Sequence, residues 1–256
     1  LDEKHRNQPI PLSYNIQSNP GLRAHDSVAA IIPAYDEADR ICRVLKVLQQ
    51  VECLSEIIVV DDGSNDATGE VGRREAEVDP RIRVLNHPTN LGKGQAIFTG
   101  WGATRAANLL MLDADLMGLH PQHVLDLIQP VLEGQADMTI GQFWGGDWKT
   151  DLSQRFAPWL SGQRCLRAEL LQTLPLKAAA GYGIETALTV AAQIHGWRCR
   201  RVLLHGAWHI PGELRRGLWL GIRTKARMYA QIVSAWYLAG GLHRFRGRFR
   251  LRPRAG

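Results

Sequence analysis

Leu109–Leu116, LLMLDADL, is an apolar run that stops abruptly on two carboxylates, Asp113 and Asp115, with the small residue Ala114 between them. A continuous apolar run of this length reads as a strand buried on both faces. A buried strand that delivers paired acids to its C-terminal edge suits a divalent cation held against a diphosphate. Taken alone, the same D-x-D also reads as the polar turn that ends a strand.

Two further runs upstream repeat the pattern. Val28–Ile32 (VAAII), closed by Pro33, and Glu56–Val60 (EIIVV) read as buried strands, the second ending on Asp61 and Asp62 before Gly63-Ser64-Asn65-Asp66. The segment Asp61–Asp66 equally suits a turn followed by a helix cap. Between these strands, Asp36, Glu37 and Asp39 precede Ile41, Val44, Leu45 and Leu48, a helical spacing with acids where the helix dipole favours them. A third strand is expected over Ile82–Leu85, then NHPTNLGKG and a helix from Gln95 to Ala106. Beyond the opening stretch, a helix near 121–133 and a strand from Asp137 to Ile140 are predicted.

Strand and helix alternating in this way predict an α/β fold, a mainly parallel, Rossmann-like sheet flanked by helices, with ligands gathered at the carboxyl ends of the strands. Those ends read PAYDE, DDGSND, NLGKG and DAD, so acids and glycines converge on one edge. NLGKG has neither the spacing of a P-loop nor a third glycine to complete G-x-G-x-x-G.

With 256 residues, 45% of them hydrophobic, the chain can bury one large core. The expected divisions are a flexible lead-in over 1–27, a domain over 28–211 and a basic extension over 212–256. Cys42, Cys53, Cys165 and Cys199 form no C-x-x-C pair, so neither a disulfide framework nor a zinc site is indicated, and a reducing compartment is expected. The first 27 residues lack the apolar core of a signal peptide. The net charge of +6 is unevenly spread: beyond residue 195 the chain has 14 Lys and Arg against the single acid Glu213, so an anionic partner is expected there. Arginine occupies every even position from Arg244 to Arg254.

In order, PAYDEADRI, IIVVDDGSNDAT, NLGKGQAIFTGW and LLMLDADL resemble the nucleotide-binding half of the family 2 glycosyltransferases, which have the GT-A fold; the resemblance spans roughly residues 27–210. It implies a nucleotide-sugar half over 28–116 and an acceptor half over 117–211. By that resemblance, Pro33, Tyr35 and Glu37 contact the base and ribose of a UDP- or GDP-sugar. Asp62 accepts hydrogen bonds from the base, Asp61 supports the loop, and Asn90, Gly92 and Lys93 form the third loop. Asp113 touches the ribose or a metal-bound water, and Asp115 binds Mg²⁺ or Mn²⁺ directly. A hard cation of this kind bridges one or two carboxylates to substrate phosphates and stabilises charge on the departing diphosphate.

On the acceptor side, SGQRCLRAELLQTLPL at 161–176 resembles the segment where related enzymes place a small polar turn and then an arginine, which implies acceptor-side roles for Gln163 and Arg164, the latter also catalytic. The processive polysaccharide synthases carry Q-x-x-R-W there; this chain has Gln163 and Arg164 adjacent and no following tryptophan, which speaks against a polymer-making enzyme. Gly181-Tyr182-Gly183-Ile184-Glu185 resembles the G-Y-x-x-E element of polyprenyl-phosphate sugar transferases and of glucosyl-3-phosphoglycerate synthases. Glu185 is thus a catalytic or acceptor-binding residue, or else an acid well placed against a helix dipole. In the second group a histidine after the next strand completes the metal shell, and His209 falls at that spacing; a structural histidine is the other reading.

Leu214, Leu218, Ile222, Tyr229, Ile232 and Trp236 fall near one face of a helical pattern with Arg215, Arg216, Arg223, Lys225 and Arg227 among them. This suits an amphipathic helix lying on an anionic membrane, or a helix packed on the domain with a solvated basic face. The uncharged, apolar-rich stretch Met228–Leu242 falls short of the roughly 20 residues a spanning helix needs. No nucleic-acid recognition fold accompanies the basic tail. The expectation is a metal-dependent enzyme at the cytoplasmic face of the membrane that moves a hexose to a phosphate-bearing acceptor, polyprenyl phosphate foremost. The alternatives are a glucosyl-3-phosphoglycerate synthase-like enzyme with a small anionic acceptor, and an inactive nucleotide-sugar-binding module.

Overall fold

A computed structural model describes residues 27–145, 161–174 and 183–209. The lead-in before Ser27, Gly181, Tyr182, the extension from 212 onward and the side chain of His209 lie outside the described residues, with the expectations placed on them.

The sheet has seven strands in the order β3-β2-β1-β4-β7-β6-β8. β1 (Val28–Ala34) is central and pairs in parallel with β2 (Leu54–Asp61) on one side and β4 (Asn108–Met111) on the other. β3 (Ile82–Asn86) extends the sheet beyond β2. The connecting helices are α1 (Ala38–Gln49), α2 (Thr68–Val78), α3 (Lys93–Gly102) and α4 (Pro121–Leu132). On the far side β6 (Met138–Trp144) pairs in parallel with β8 (Cys199–His205), and α5 (Ile184–His195) precedes β8. The sheet is not wholly parallel: β7 (Arg164–Arg167) runs antiparallel between β4 and β6. A small second sheet joins β5 (Leu116–Met117) to β9 (Trp208–His209).

The unbroken apolar runs are explained by helices on both faces. Val28, Ala30 and Ile32 pack in one core with Ile41, Val44, Leu45 and Leu48 of α1 and Val124 and Ile128 of α4. The alternate residues Ala29 and Ile31 pack in the other core with Ala96 and Ile97 of α3 and Leu188 of α5. Gly100 lets α3 lie directly on β1, because a Cβ there would stand 2.6 Å from Cγ2 of the wholly buried Ile31. Gly100→Ala is therefore expected to destabilise the fold by about 1–3 kcal/mol through overpacking, read as a lowered denaturation midpoint. An unchanged midpoint would show that α3 can move off the sheet freely.

Of the boundaries that differ from the sequence expectation, two bear on the site. The helix expected to reach Ala106 ends at Gly102, where Ala103 and Thr104 donate back to Gly100 and Trp101. Thr104 then accepts from the Ala106 N–H and donates to Glu56, which turns the chain into β4. β4 itself ends at Met111, so Leu112–Asp115 form a bend, not a strand end, before β5.

The strand order reverses between β1 and β4, since the chain runs outward to β3 and returns on the other side of β1. In open α/β sheets such a switch point opens a crevice at the carboxyl ends of the two strands. Here that crevice lies between Ala34–Glu37 and Leu112–Asp115. Among the described residues, no helix is long and apolar enough to cross a membrane.

Candidate active site

Three loops at this edge are tied together before any ligand is considered. In the first, Asp36 adopts φ 55°, an uncommon conformation for a residue other than glycine. Its carboxylate accepts from the Asn65 N–H at 2.8 Å and its own N–H donates to Ser64 Oγ at 3.0 Å. The Glu37 N–H donates to Thr68 Oγ1 and the Ala38 N–H to Asp66, so the loops after β1 and β2 act as one unit. Pro33, Tyr35 and Glu37 line it half-buried, Glu37 paired with Arg40 at 2.5 Å and Tyr35 3.4 Å from Asn65.

Asp62 organises the third loop. Its buried carboxylate meets His87 Nδ1 at 2.6 Å and accepts from the N–H groups of Leu91 at 2.9 Å and Gly92 at 2.8 Å. His87 in turn reaches Thr99 of α3 through Nε2 at 2.9 Å. Both oxygens of Asp62 thus serve the third loop, where the resemblance implied hydrogen bonds from the base, whereas Asp61 holds its own loop by accepting from the Ser64 N–H at 3.0 Å. Asn90, on the same loop, is exposed. Gly92, at φ 93°, permits the sharp entry that puts Lys93 at the first position of α3.

Lys93 joins the two halves of the site. Its Nζ lies 2.5 Å from Asp113 Oδ1 and 2.5 Å from Glu185 Oε1, in the first turn of α5. Burial acts to lower the Lys93 pKa, but the two carboxylates outweigh it and raise the value, so the ammonium is firmly held. Asp113 also accepts from Gln163 Nε2 at 2.7 Å. The turn that presents Gln163 requires glycine before it: a Cβ at Gly162 would fall 2.5 Å from Lys93 Nζ and 2.7 Å from both Asp113 oxygens. Gly162→Ala is expected to break the Lys93–Asp113 pair and lower turnover by about 10- to 100-fold, because a displacement of this size misaligns a reacting group. Steady-state kinetics read this, and parental kcat/KM in the variant would rule it out. The sequence offered one signal for this position, the small pair Ser161-Gly162 immediately before Gln163.

Asp115 stands differently from Asp113. Burial first, and then the charges of Asp113 and Glu37, push its carboxyl up to about 7, with Lys93 and Arg40 opposing. A half-buried carboxylate so short of positive charge suits a cation. Among the described residues no three His, Cys, Asp or Glu side chains form a group able to hold an ion. The carboxylates Asp113 and Asp115 fit a hard divalent cation, which would draw its remaining oxygen ligands from water and substrate phosphate. The β5–β9 register sets His209 opposite Leu116, one residue beyond Asp115.

Arg164 is placed otherwise than expected. Its side chain is wholly buried, with Nε donating to the Ser161 carbonyl at 2.9 Å and Nη2 to Thr189 Oγ1 at 3.1 Å. Wholly buried, that guanidinium presents no exposed surface in this structure, which differs from the acceptor-contacting and catalytic roles the resemblance implied for Arg164. Gln163, Glu185, Lys93 and Asp113 are brought together in one cluster; the sequence named the four residues but not the link from Lys93 to Glu185, and the parts played by Gly162, His87 and Thr99 were not anticipated.

Acids and a half-buried lysine gathered at the switch point of an α/β sheet mark the place where ligands bind in folds of this kind. Residues 29–184, more than half of the chain, match the family described as Glycosyl transferase family 2, and the chain belongs to that family: it is a glycosyltransferase. An undecaprenyl-phosphate mannosyltransferase of Micrococcus luteus is 32% identical over 190 residues, 63% of this chain and 76% of that protein. A dolichyl-phosphate β-glucosyltransferase of Trichomonas vaginalis is 33% identical over 129 residues, 43% of this chain but only 38% of that protein. The fold is similar to glucosyl-3-phosphoglycerate synthase from Mycobacterium tuberculosis, solved in complex with Mn²⁺, UDP-glucose and phosphoglyceric acid. The TM-score is 0.69 at 24% identity, covering 91% of this chain and 86% of that one.

Proposed function

We propose that the protein transfers a hexose from a UDP- or GDP-sugar to a phosphate-bearing acceptor, polyprenyl phosphate foremost, using Mg²⁺ or Mn²⁺. The observation that carries this reading is the placement of Lys93 between Asp113 on the donor side and Glu185 on the acceptor side, at 2.5 Å from each. The kinship with an undecaprenyl-phosphate enzyme over 76% of that protein's length supports the acceptor class.

Pro33, Tyr35, Glu37 and Asp61 line the nucleoside end, with Asp62 holding the loop that carries Asn90, Gly92 and Lys93. Asp115, with Asp113 beside it, would hold the cation, and His209 would join them from β9. When bound, that cation supplies stabilisation of negative charge on the departing diphosphate. Lys93 adds a compact positive charge at the same place and keeps the two acids from repelling an anionic donor. Glu185 stands on the acceptor side, with the buried Gln163 holding Asp113 in place behind it. A phosphate nucleophile is already ionised, so no strong general base is required of the protein.

A second reading, a soluble-acceptor enzyme of the glucosyl-3-phosphoglycerate synthase kind, is favoured by the structural likeness at TM-score 0.69. A screen of UDP- and GDP-sugars against polyprenyl phosphate and phosphoglycerate, read by product mass and anomeric configuration, separates the two; no product with any phosphate acceptor would overturn both. We place the enzyme peripherally at the cytoplasmic membrane face through its basic extension. Removal of residues 212–256 is then expected to weaken sedimentation with anionic liposomes and use of the lipid acceptor while sparing donor hydrolysis. Unchanged liposome binding would remove that part of the reading.

A further inference from the structure

Arg164 is wholly buried and is one member of a closed ring of polar contacts that runs through the site. Arg164 Nε donates to the Ser161 carbonyl and Nη2 to Thr189 Oγ1, while Nη1 lies 3.7 Å from Met138 Sδ. On one side of the ring, Ser161 Oγ donates to Gln163 Oε1 at 2.8 Å and Gln163 Nε2 donates to Asp113. On the other, Thr189 Oγ1 donates to the Glu185 carbonyl at 2.8 Å, and Glu185 reaches Lys93. Lys93 returns to Asp113 and closes the ring.

We propose that Arg164 is a positioning residue that couples the donor side of the site to the acceptor side. It holds the Ser161–Gln163 turn and the first turn of α5 at one separation, so that Asp113 and Glu185 meet Lys93 together. This inference rests on the reading above, in which Asp113 serves the donor and Glu185 the acceptor. A rigid planar fork donates in two fixed directions at once; a lysine ammonium on a flexible stem does not hold both partners in the same geometry. A buried cation is costly to desolvate, and apolar side chains of similar size commonly serve stability as well or better. Geometry is what the arginine adds here, and burial, which lowers its pKa to about 10 against the opposing charge of Glu185, leaves it still protonated at neutral pH.

The test is a double-mutant cycle in the full chain with Arg164→Lys and Glu185→Gln. Acceptor kcat/KM is read alongside the Kd of the nucleoside diphosphate, UDP or GDP, in the presence of Mn²⁺. Arg164→Lys is expected to lower acceptor kcat/KM by about 10- to 100-fold while the diphosphate Kd stays within about threefold, and the double variant is expected to be no worse than Glu185→Gln alone. Losses that multiply, or a Kd that weakens as much as kcat/KM, would overturn the inference. Thr189→Val breaks one arm of the ring without touching a charge and carries the same comparisons if Arg164→Lys does not fold. Amide hydrogen exchange over 161–163 and the first turn of α5 needs no substrate: faster exchange there in either variant is expected. Unchanged exchange overturns the coupling alone, whereas a parent that transfers to no acceptor, with faster exchange in the variants, overturns only the functional reading.

Discussion

Asp115→Ala is expected to lower metal-dependent transfer by about 10²- to 10³-fold or more, while the metal-free variant melts no lower than the parent. The loss follows from removing the carboxylate best placed to hold a cation against the donor diphosphate. The preserved or raised stability follows from its surroundings, since burial and the charges of Asp113 and Glu37 raise its carboxyl from the ordinary 3.8 to about 7. A folded-state pKa above the unfolded one means that the native state binds the proton more tightly. The parent therefore loses stability as pH rises from about 4 to about 7, and the alanine variant does not. Thermal melts in EDTA across that window should show the two proteins diverging in favour of the variant, then running parallel at higher pH. A constant difference over the whole range would contradict the electrostatic account. Full turnover in excess EDTA, or in the variant, would remove the metal assignment.

Lys93→Met carries the second large effect. Lys93 is the ion-pair partner of both Asp113 and Glu185, whose side chains are 28% and 7% exposed. Stripping the cation from a buried carboxylate costs on the order of 2–4 kcal/mol, because the desolvated charge is left uncompensated. For a domain of this size that is a fall on the order of 5–15 °C in melting temperature. Transfer is expected to drop by at least about 100-fold, since the site loses positive charge where the diphosphate develops negative charge. Adding Glu185→Gln to Lys93→Met should recover part of the melting temperature and none of the activity. A Lys93→Met protein that melts with the parent would show that the acids are stabilised by something other than this lysine.

Much of the donor half was legible in the sequence because its information is local. VAAII and EIIVV are apolar on both strand faces, so they had to be buried strands, and the helix carrying Ile41, Val44, Leu45 and Leu48 buries those four residues against β1. The acids that follow each strand necessarily gather at one edge once the strands run parallel. Local pattern misled where a tertiary contact prevailed. The opening stretch reads as a strand delivering its acids directly, yet β4 ends at Met111 and the acids sit in the bend beyond it. Of the two carboxylates in VVDDGS, periodicity alone could not tell that Asp62 turns inward to His87, Leu91 and Gly92.

The acceptor half was less legible, because its geometry depends on pairs far apart in the chain. Arg164 looks like a ligand-binding residue in sequence, where an arginine after a polar turn is ordinarily solvated. Its burial follows from β7 entering the sheet antiparallel between β4 and β6, an arrangement set by long-range pairing. By itself the sequence determined the class of fold and the edge to which the acids gather, and it named the residues proposed here for a nucleotide-sugar site. Only the tertiary structure decided that Lys93 spans Asp113 and Glu185, that Gly162 leaves room for that pair, and that Arg164 is buried against Ser161 and Thr189. The physical reason is that strand burial and acid placement are properties of a short window of chain. The partner of a buried charge, in contrast, is chosen by whichever opposite charge the folded sheet brings within 2.5 Å.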